Sequence, residues 1–230
     1  MLLVLAAVAD RVAAAVAARE LAAQLQAQAG LAAPPEVEVG GVPFLTQALA
    51  GRYDRIDVTA RDVPAGEVEG TALTLRTLTA TLRGARVPLS DALSGTVSSV
   101  PVDRVDARVL LPYDALARRA AGASVTVAPA GDRLRVRGTV RLLGRDVQAS
   151  ALSRLRVDGD ALVVTAESFD VGGGLADRLV TRALRERFDL RVELGRLPYG
   201  LAVEGVQVQE DGLALTAASA DAVLAAPAPR

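Results

Sequence analysis

Few of the side chains that ordinarily do chemistry are present in this sequence. It has no His and no Cys, and all 26 of its basic residues are Arg. An imidazole general base, a thiolate nucleophile, a Ser/Lys dyad and the usual nitrogen and sulfur metal ligands are therefore excluded. Serines occur, but none stands in a Gly-x-Ser-x-Gly elbow. Carboxylates remain. Asp57 alternates with apolar residues in an extended stretch, while Asp132, Asp158, Asp160 and Asp211 fall in turn sequences, which are the ordinary places for solvated acids. A hydrolase working through carboxylates stays the third and least favoured reading, to be revived by two acids converging in a cleft. The chain reads as a non-enzyme with no catalytic residue, no metal site and no cofactor.

Two patterns bear on anions. Gly172-Gly173-Gly174 precedes a helical pattern, and free amides at a helix start can hold a phosphate. Asp177 in the first turn opposes that, so the glycines read as a turn. Arg133, Arg135 and Arg137 alternate with Leu134 and Val136, with Arg141 beyond. They read as a solvated strand face, because phosphate contacts to nucleic acid would come with stacking aromatics, and the whole chain has three Phe, three Tyr and no Trp. The net charge of −1 gives no general field for polyanions. No nucleic-acid partner is expected.

The elements that must position any site are legible from periodicity. The octet Val37-Glu38-Val39-Gly40-Gly41-Val42-Pro43-Phe44 returns as Val192-Glu193-Leu194-Gly195-Arg196-Leu197-Pro198-Tyr199, each copy after a helical pattern and before alternating sequence. The echo predicts two similar helix–strand halves of one domain. Between Asp10 and Gly30, Ala14, Ala18, Leu21, Ala22, Leu25 and Ala29 share a face opposite Glu20, Gln24 and Gln28, which predicts an amphipathic helix closed by Gly30. A second helix is predicted after Gly174, with Leu175, Leu179, Val180, Leu184 and Phe188 on its apolar side. Most of the rest alternates as strand, with hairpin turns at Gly131-Asp132, Asp158-Gly159 and Asp211-Gly212. Between Leu75 and Leu78 the alternation slips, which predicts a bulge near Arg76-Thr77. The fold class is α+β: one long, curved antiparallel sheet wrapped around two helices.

The domain is expected over residues 10–217, followed by a flexible Ala/Pro-rich tail from 218 to 230. Residues 1–9, apolar throughout, are too short to span a bilayer, which takes about 20 residues. They read as the remnant of a signal or anchor segment, with the true start lying upstream. A large sheet covered by small side chains leaves room beneath the helices, and such an apolar void suits acyl chains at about 0.8 kcal/mol per buried methylene.

The run Pro35-Glu36-Val37-Glu38-Val39-Gly40-Gly41-Val42-Pro43-Phe44-Leu45-Thr46-Gln47, continued by Gly51-Arg52-Tyr53-Asp54-Arg55-Ile56-Asp57-Val58, resembles the signature of the LmeA-like family of actinobacterial cell-envelope proteins. Val100-Pro101-Val102-Asp103-Arg104-Val105, Leu143-Gly144-Arg145-Asp146, Asp170-Val171-Gly172-Gly173-Gly174 and Leu197-Pro198-Tyr199-Gly200-Leu201 extend the resemblance. It implies a fold similar to tubular lipid-binding domains. It also implies non-enzymatic phospholipid binding, with an inositol lipid as candidate, in the maturation of envelope glycolipid (lipomannan). Location would be the extracytoplasmic face of the plasma membrane, secreted or N-terminally anchored, with the membrane surface and glycolipid-synthesis enzymes as partners. The residues themselves nominate Leu21, Leu25, Phe44, Leu45, Leu179, Leu184, Phe188 and Tyr199 as lipid contacts. The competing expectation is an envelope scaffold that supports those enzymes without carrying lipid.

Overall fold

Alanine and leucine dominate the first stretch, and both favour the helix. In the computed structural model they form one helix, α1 (Leu2–Ala29), whose C-cap Gly30 adopts the left-handed conformation with φ 62°. The residues described are 1–68, 71–94, 97, 99–119, 125–142, 145–159, 161–171, 190–193 and 197–225. The predicted second helix and Leu179, Leu184 and Phe188 with it lie outside them.

α1 packs through the expected face and leaves Glu20, Gln24 and Gln28 exposed, but the side away from the protein is not wholly polar. Asp10, Ala14 and Ala22 are buried and Leu21 is half-buried, but Val12 and Val16 on the opposite side are more than half exposed. Small alanines carry the packing side, and that is why the helix lies close to strand β1 (Glu36–Gly40) and to α2 (Phe44–Ala50). The segment expected as the remnant of a signal or anchor forms the first turns of α1. No helix among the described residues is long and apolar enough to cross a membrane.

The remaining elements are β2 (Arg52–Val68), β3 (Thr71–Arg86), α3 (Leu89–Ser94), β4 (Ser99–Leu111), α4 (Tyr113–Arg119), β5 (Thr126–Ala130), β6 (Arg133–Leu142), β7 (Arg145–Asp158), β8 (Ala161–Val171), β9 (Leu190–Glu193), β10 (Ala202–Gln209) and β11 (Gly212–Ala225). Every pairing among them is antiparallel. The expected single sheet is two sheets, ordered β1-β2-β3-β4-β11-β10 and β5-β6-β7-β8-β9. They are separate because β11, returning from the end of the chain, takes the place beside β4 that a continuous meander would give to β5. Each octet supplies an edge strand, β1 to the first sheet and β9 to the second. After its cis Val42–Pro43 bond the first octet enters a helix, whereas the second ends in a single 3₁₀ turn at Pro198–Gly200.

The chief core cluster joins Ile56, Ala85, Val102, Val105 and Ala222, with Leu21, Tyr53 and Leu82 packed against it. Strict alternation would put Tyr53 and Ile56, Leu82 and Ala85, or Val102 and Val105 on opposite faces. All six serve one cluster, so each strand exchanges faces between them. The register puts Asp54, Gly84, Asp103 and Asp221 in one row across the four strands at this exchange. Gly84 (φ 64°) and Asp221 (φ 52°) are left-handed there, and Gly and Asp are among the residues that tolerate this region.

A second exchange explains the slip near Arg76-Thr77. No register shift falls there; the pairing runs from Arg61↔Thr77 to Val63↔Leu75. Asp62, across from Arg76, takes φ 51°. Both strands switch faces around it, and Ala60, Val63, Leu75 and Leu78 all reach the cluster built on Leu31. The shift between these strands lies instead between Pro64 and Glu67. β11 also runs to Ala225, well into the expected tail, because Ala222 belongs to the core and Leu224 packs against it.

Candidate functional site

The first octet and α1 form a polar clasp beneath an apolar end. Asp10 is the first charged residue of the chain, and its Oδ1 accepts the Leu45 backbone N–H at 2.8 Å. It thus caps α2 from a distant helix, a task Pro43 at the N-cap position cannot do with its side chain. These amide donors from Leu45 and Phe44, with the Arg11 guanidinium, hold the Asp10 carboxyl down at a pKa of about 2. Arg11 also donates to the Gly41 carbonyl at 3.0 Å. Gln47 completes the clasp: its Nε2 donates to the Gly40 and Pro43 carbonyls at 3.3 and 3.4 Å, and its Oε1 accepts the Asp54 N–H at 2.9 Å. Gly41 has φ 91°, and a Cβ there would run into the Gln47 amide. The clasp therefore requires glycine at that position.

On either side of this clasp the surface is apolar. Leu3, Val4, Leu5 and Val8 on α1 and Val42, Leu45 and Leu49 around α2 are all exposed. An open concavity of about 590 Å³ runs along α1 past Leu3, Val4, Val8 and Val12. A second, of about 500 Å³, crosses β6, β7 and β8 and is lined by both charged and apolar side chains.

The nominated residues divide. Leu21 packs against the main core cluster, and Leu25 is half-buried on the same helix. Phe44 is only 5% exposed, packed with Ala14 and Ala48, its ring centroid 6.1 Å from that of Tyr53. The Phe44 and Leu21 clusters adjoin, since Val39 and Tyr53 contact both. Leu45 and Tyr199 are exposed, Tyr199 with φ 60°. Sequence reasoning missed Asp10 and Gln47, the polar groups that hold Phe44 and Leu45 in place. The one available signal was that Asp10 interrupts an apolar run.

Among the acids of the first sheet, Asp57 and Asp106 are engaged by arginines. Asp57 is bound by Arg55 at 2.6 Å and by the Thr81 hydroxyl, and Asp106 by Arg104 and Arg83. The hydrogen bonds from Arg55 and Arg104 hold the respective carboxyls below their ordinary values. Among the described residues no group of three His, Cys, Asp or Glu is placed to hold a metal.

A family model described as LmeA-like phospholipid-binding matches residues 8–218. The chain belongs to that family. No curated relative and no solved structure matches it. In LmeA-like terms the match takes in the Asp10 clasp, both octets and both sheets, and stops within β11. The exposed residues Leu3, Val4 and Leu5 of α1 lie before it. Phospholipid binding is thus the property to which the surfaces of this LmeA-like chain must answer.

Proposed function

We propose that the protein is a non-enzymatic phospholipid carrier of the cell envelope. It takes a diacyl phospholipid, with an inositol phospholipid as the leading candidate, into an apolar groove. It then carries or presents that lipid to the enzymes of envelope glycolipid (lipomannan) maturation. On this reading it works at the extracytoplasmic face of the plasma membrane, secreted or N-terminally anchored. Its two sheets and helices act together as a tube-like container, with the two octets marking related halves.

The observation that supports this most is the end of α1. Leu3 to Ala9 are apolar on every side and exposed, and the first polar side chain is the clasped Asp10. A helix that is apolar all round is not at home in water. At 1.5 Å per residue this end reaches about 10 Å, within one leaflet of a bilayer whose hydrocarbon core is about 30 Å thick. The helix end meets the membrane while the sheets stay at its surface.

The test is native mass spectrometry of the full chain, gently purified from a bacterial host, followed by organic extraction and lipid identification. Stoichiometric phospholipid, diminished by Leu25→Asp, is the expected result, and the extract names the head group. Bare polypeptide that takes up no lipid from added liposomes overturns the carrier and leaves the scaffold as the reading to pursue.

A further inference from the structure

β6 places Arg133, Arg135 and Arg137 on one face, and the register carries that face across the second sheet in rows. Arg135 lies across from Leu152, and Leu152 across from Ser168; Arg137 lies across from Ser150, and Ser150 across from Asp170. The opposite face holds the buried Leu134, Ala149, Ala151 and Ala166, so these rows form the solvent side. They line the concavity of about 500 Å³, together with Gln148, Ala149 and Phe169.

The cations of this sheet are not alike. Arg133 and Arg154 share Glu167, at 3.1 and 2.7 Å, and Arg156 pairs with Asp158 at 3.4 Å. Among the described residues, Arg135 and Arg137 have no carboxylate within ion-pair distance. Both line the one groove from the same strand, Arg135 half-buried and Arg137 exposed. Two residues apart on a strand, their backbones are separated by about 7 Å. Two long guanidinium side chains can span that distance to the non-ester oxygens of a single phosphodiester. Asp170, two strands from Arg137, is about 10 Å away along the hydrogen-bonding direction. Its carboxylate would repel a bare phosphate but accept hydroxyl donors carried beside one. Two cations and one carboxylate leave a single positive charge, which complements the one negative charge of a phosphodiester, and the Ser150 and Ser168 hydroxyls on the same face suit a polyol carried beside it.

We propose that this groove receives the polyol head group of an anionic phospholipid, with the phosphodiester on Arg135 and Arg137 and the hydroxyls on Ser150, Ser168 and Asp170. The assignment rests on the phospholipid-carrier reading and adds a site to it.

The experiment titrates the full chain by calorimetry with soluble glycerophosphoinositol and with inorganic phosphate. In parallel, flotation is measured on vesicles of phosphatidylcholine alone and of phosphatidylcholine containing phosphatidylinositol. Parent protein is expected to prefer glycerophosphoinositol to phosphate, and the inositol-containing vesicles to the plain ones. R135Q/R137Q should lose about tenfold or more in affinity for glycerophosphoinositol, since hydrogen bonds to charged groups are worth roughly that each. R133Q/R154Q removes the same charge from the same face and should leave the affinity unchanged. Asp170→Asn should narrow the preference over phosphate. If the first double variant does not fold by circular dichroism, Arg137→Gln alone, at an exposed position, reads the same loss.

Equal weakening in both double variants would reduce the effect to diffuse charge and overturn the site, as would no weakening in R135Q/R137Q. Phosphate bound as tightly as the head group would make this a free-phosphate site instead. Normal co-purification of phospholipid alongside either result keeps the carrier reading and removes only the groove. A parent chain that binds no phospholipid at all removes both.

Discussion

Asp10 ties the apolar end of α1 to the first octet, and its titration gives a direct handle on that tie. Its folded pKa of about 2 lies below the ordinary 3.8, so between those values the unfolded chain binds more protons than the folded one. The stabilisation is therefore fully present above about pH 4 and is lost as pH falls through about 2. In Asp10→Asn the melting temperature should be lower than the parent's at pH 5 to 7, and the gap should close on acidification towards pH 2. A gap independent of pH would mean that packing, not the charge, does the work. Phe44 is a second residue-scale case. Its apolar character and place in the octet were legible, but its burial depends on Ala14 and Tyr53, which periodicity cannot bring together. Phe44→Ala should cost about 3–5 kcal/mol in chemical denaturation, as expected for a core side chain rather than one open to ligand.

Among the elements, strands and hairpin turns were readable because alternation and Gly/Asp turn chemistry are local. What alternation could not show is where a strand changes faces. The slip at Leu75–Leu78 was visible, yet its cause, left-handed Asp62, sits on the neighbouring strand. The row through Gly84, Asp103 and Asp221 left no comparable trace, since only pairing lines those residues up. There Asp103 binds both Arg52, at 2.6 Å, and Arg86. A Cβ on Gly84 would collide with the Asp103 carboxylate. Gly84→Ala should therefore destabilise by about 1–2 kcal/mol from the left-handed backbone alone, with a further loss from displaced Asp103. Asp221→Gly, which keeps the conformation accessible, should cost far less. Urea midpoints of the two variants make the comparison. Tyr113 shows a tie of another kind, its hydroxyl donating to the Gln209 carbonyl at 2.5 Å and fastening α4 to the β10–β11 hairpin.

For the whole molecule, the α+β class and the family were legible, the first from periodicity and the second from the octet and its flanking residues. The division into two sheets was not, because it depends on β11 returning across the length of the chain to β4. A member of a phospholipid-binding family should gain stability from its lipid. Phospholipid supplied at a hundred times its dissociation constant should add about 2.7 kcal/mol, read as a rise in melting temperature that a non-binding lipid does not produce. Neither sheet closes on itself among the described residues, so each ends in two outer strands. Every one of these borders carries something that discourages a neighbouring chain from zipping on. Exposed Glu36 and Glu38 charge β1, Pro129 removes a donor from β5, β9 is only four residues long, and a register shift between Val203 and Gly205 interrupts β10. A protein half made of apolar residues can thus be crowded against its own copies without polymerising into fibres.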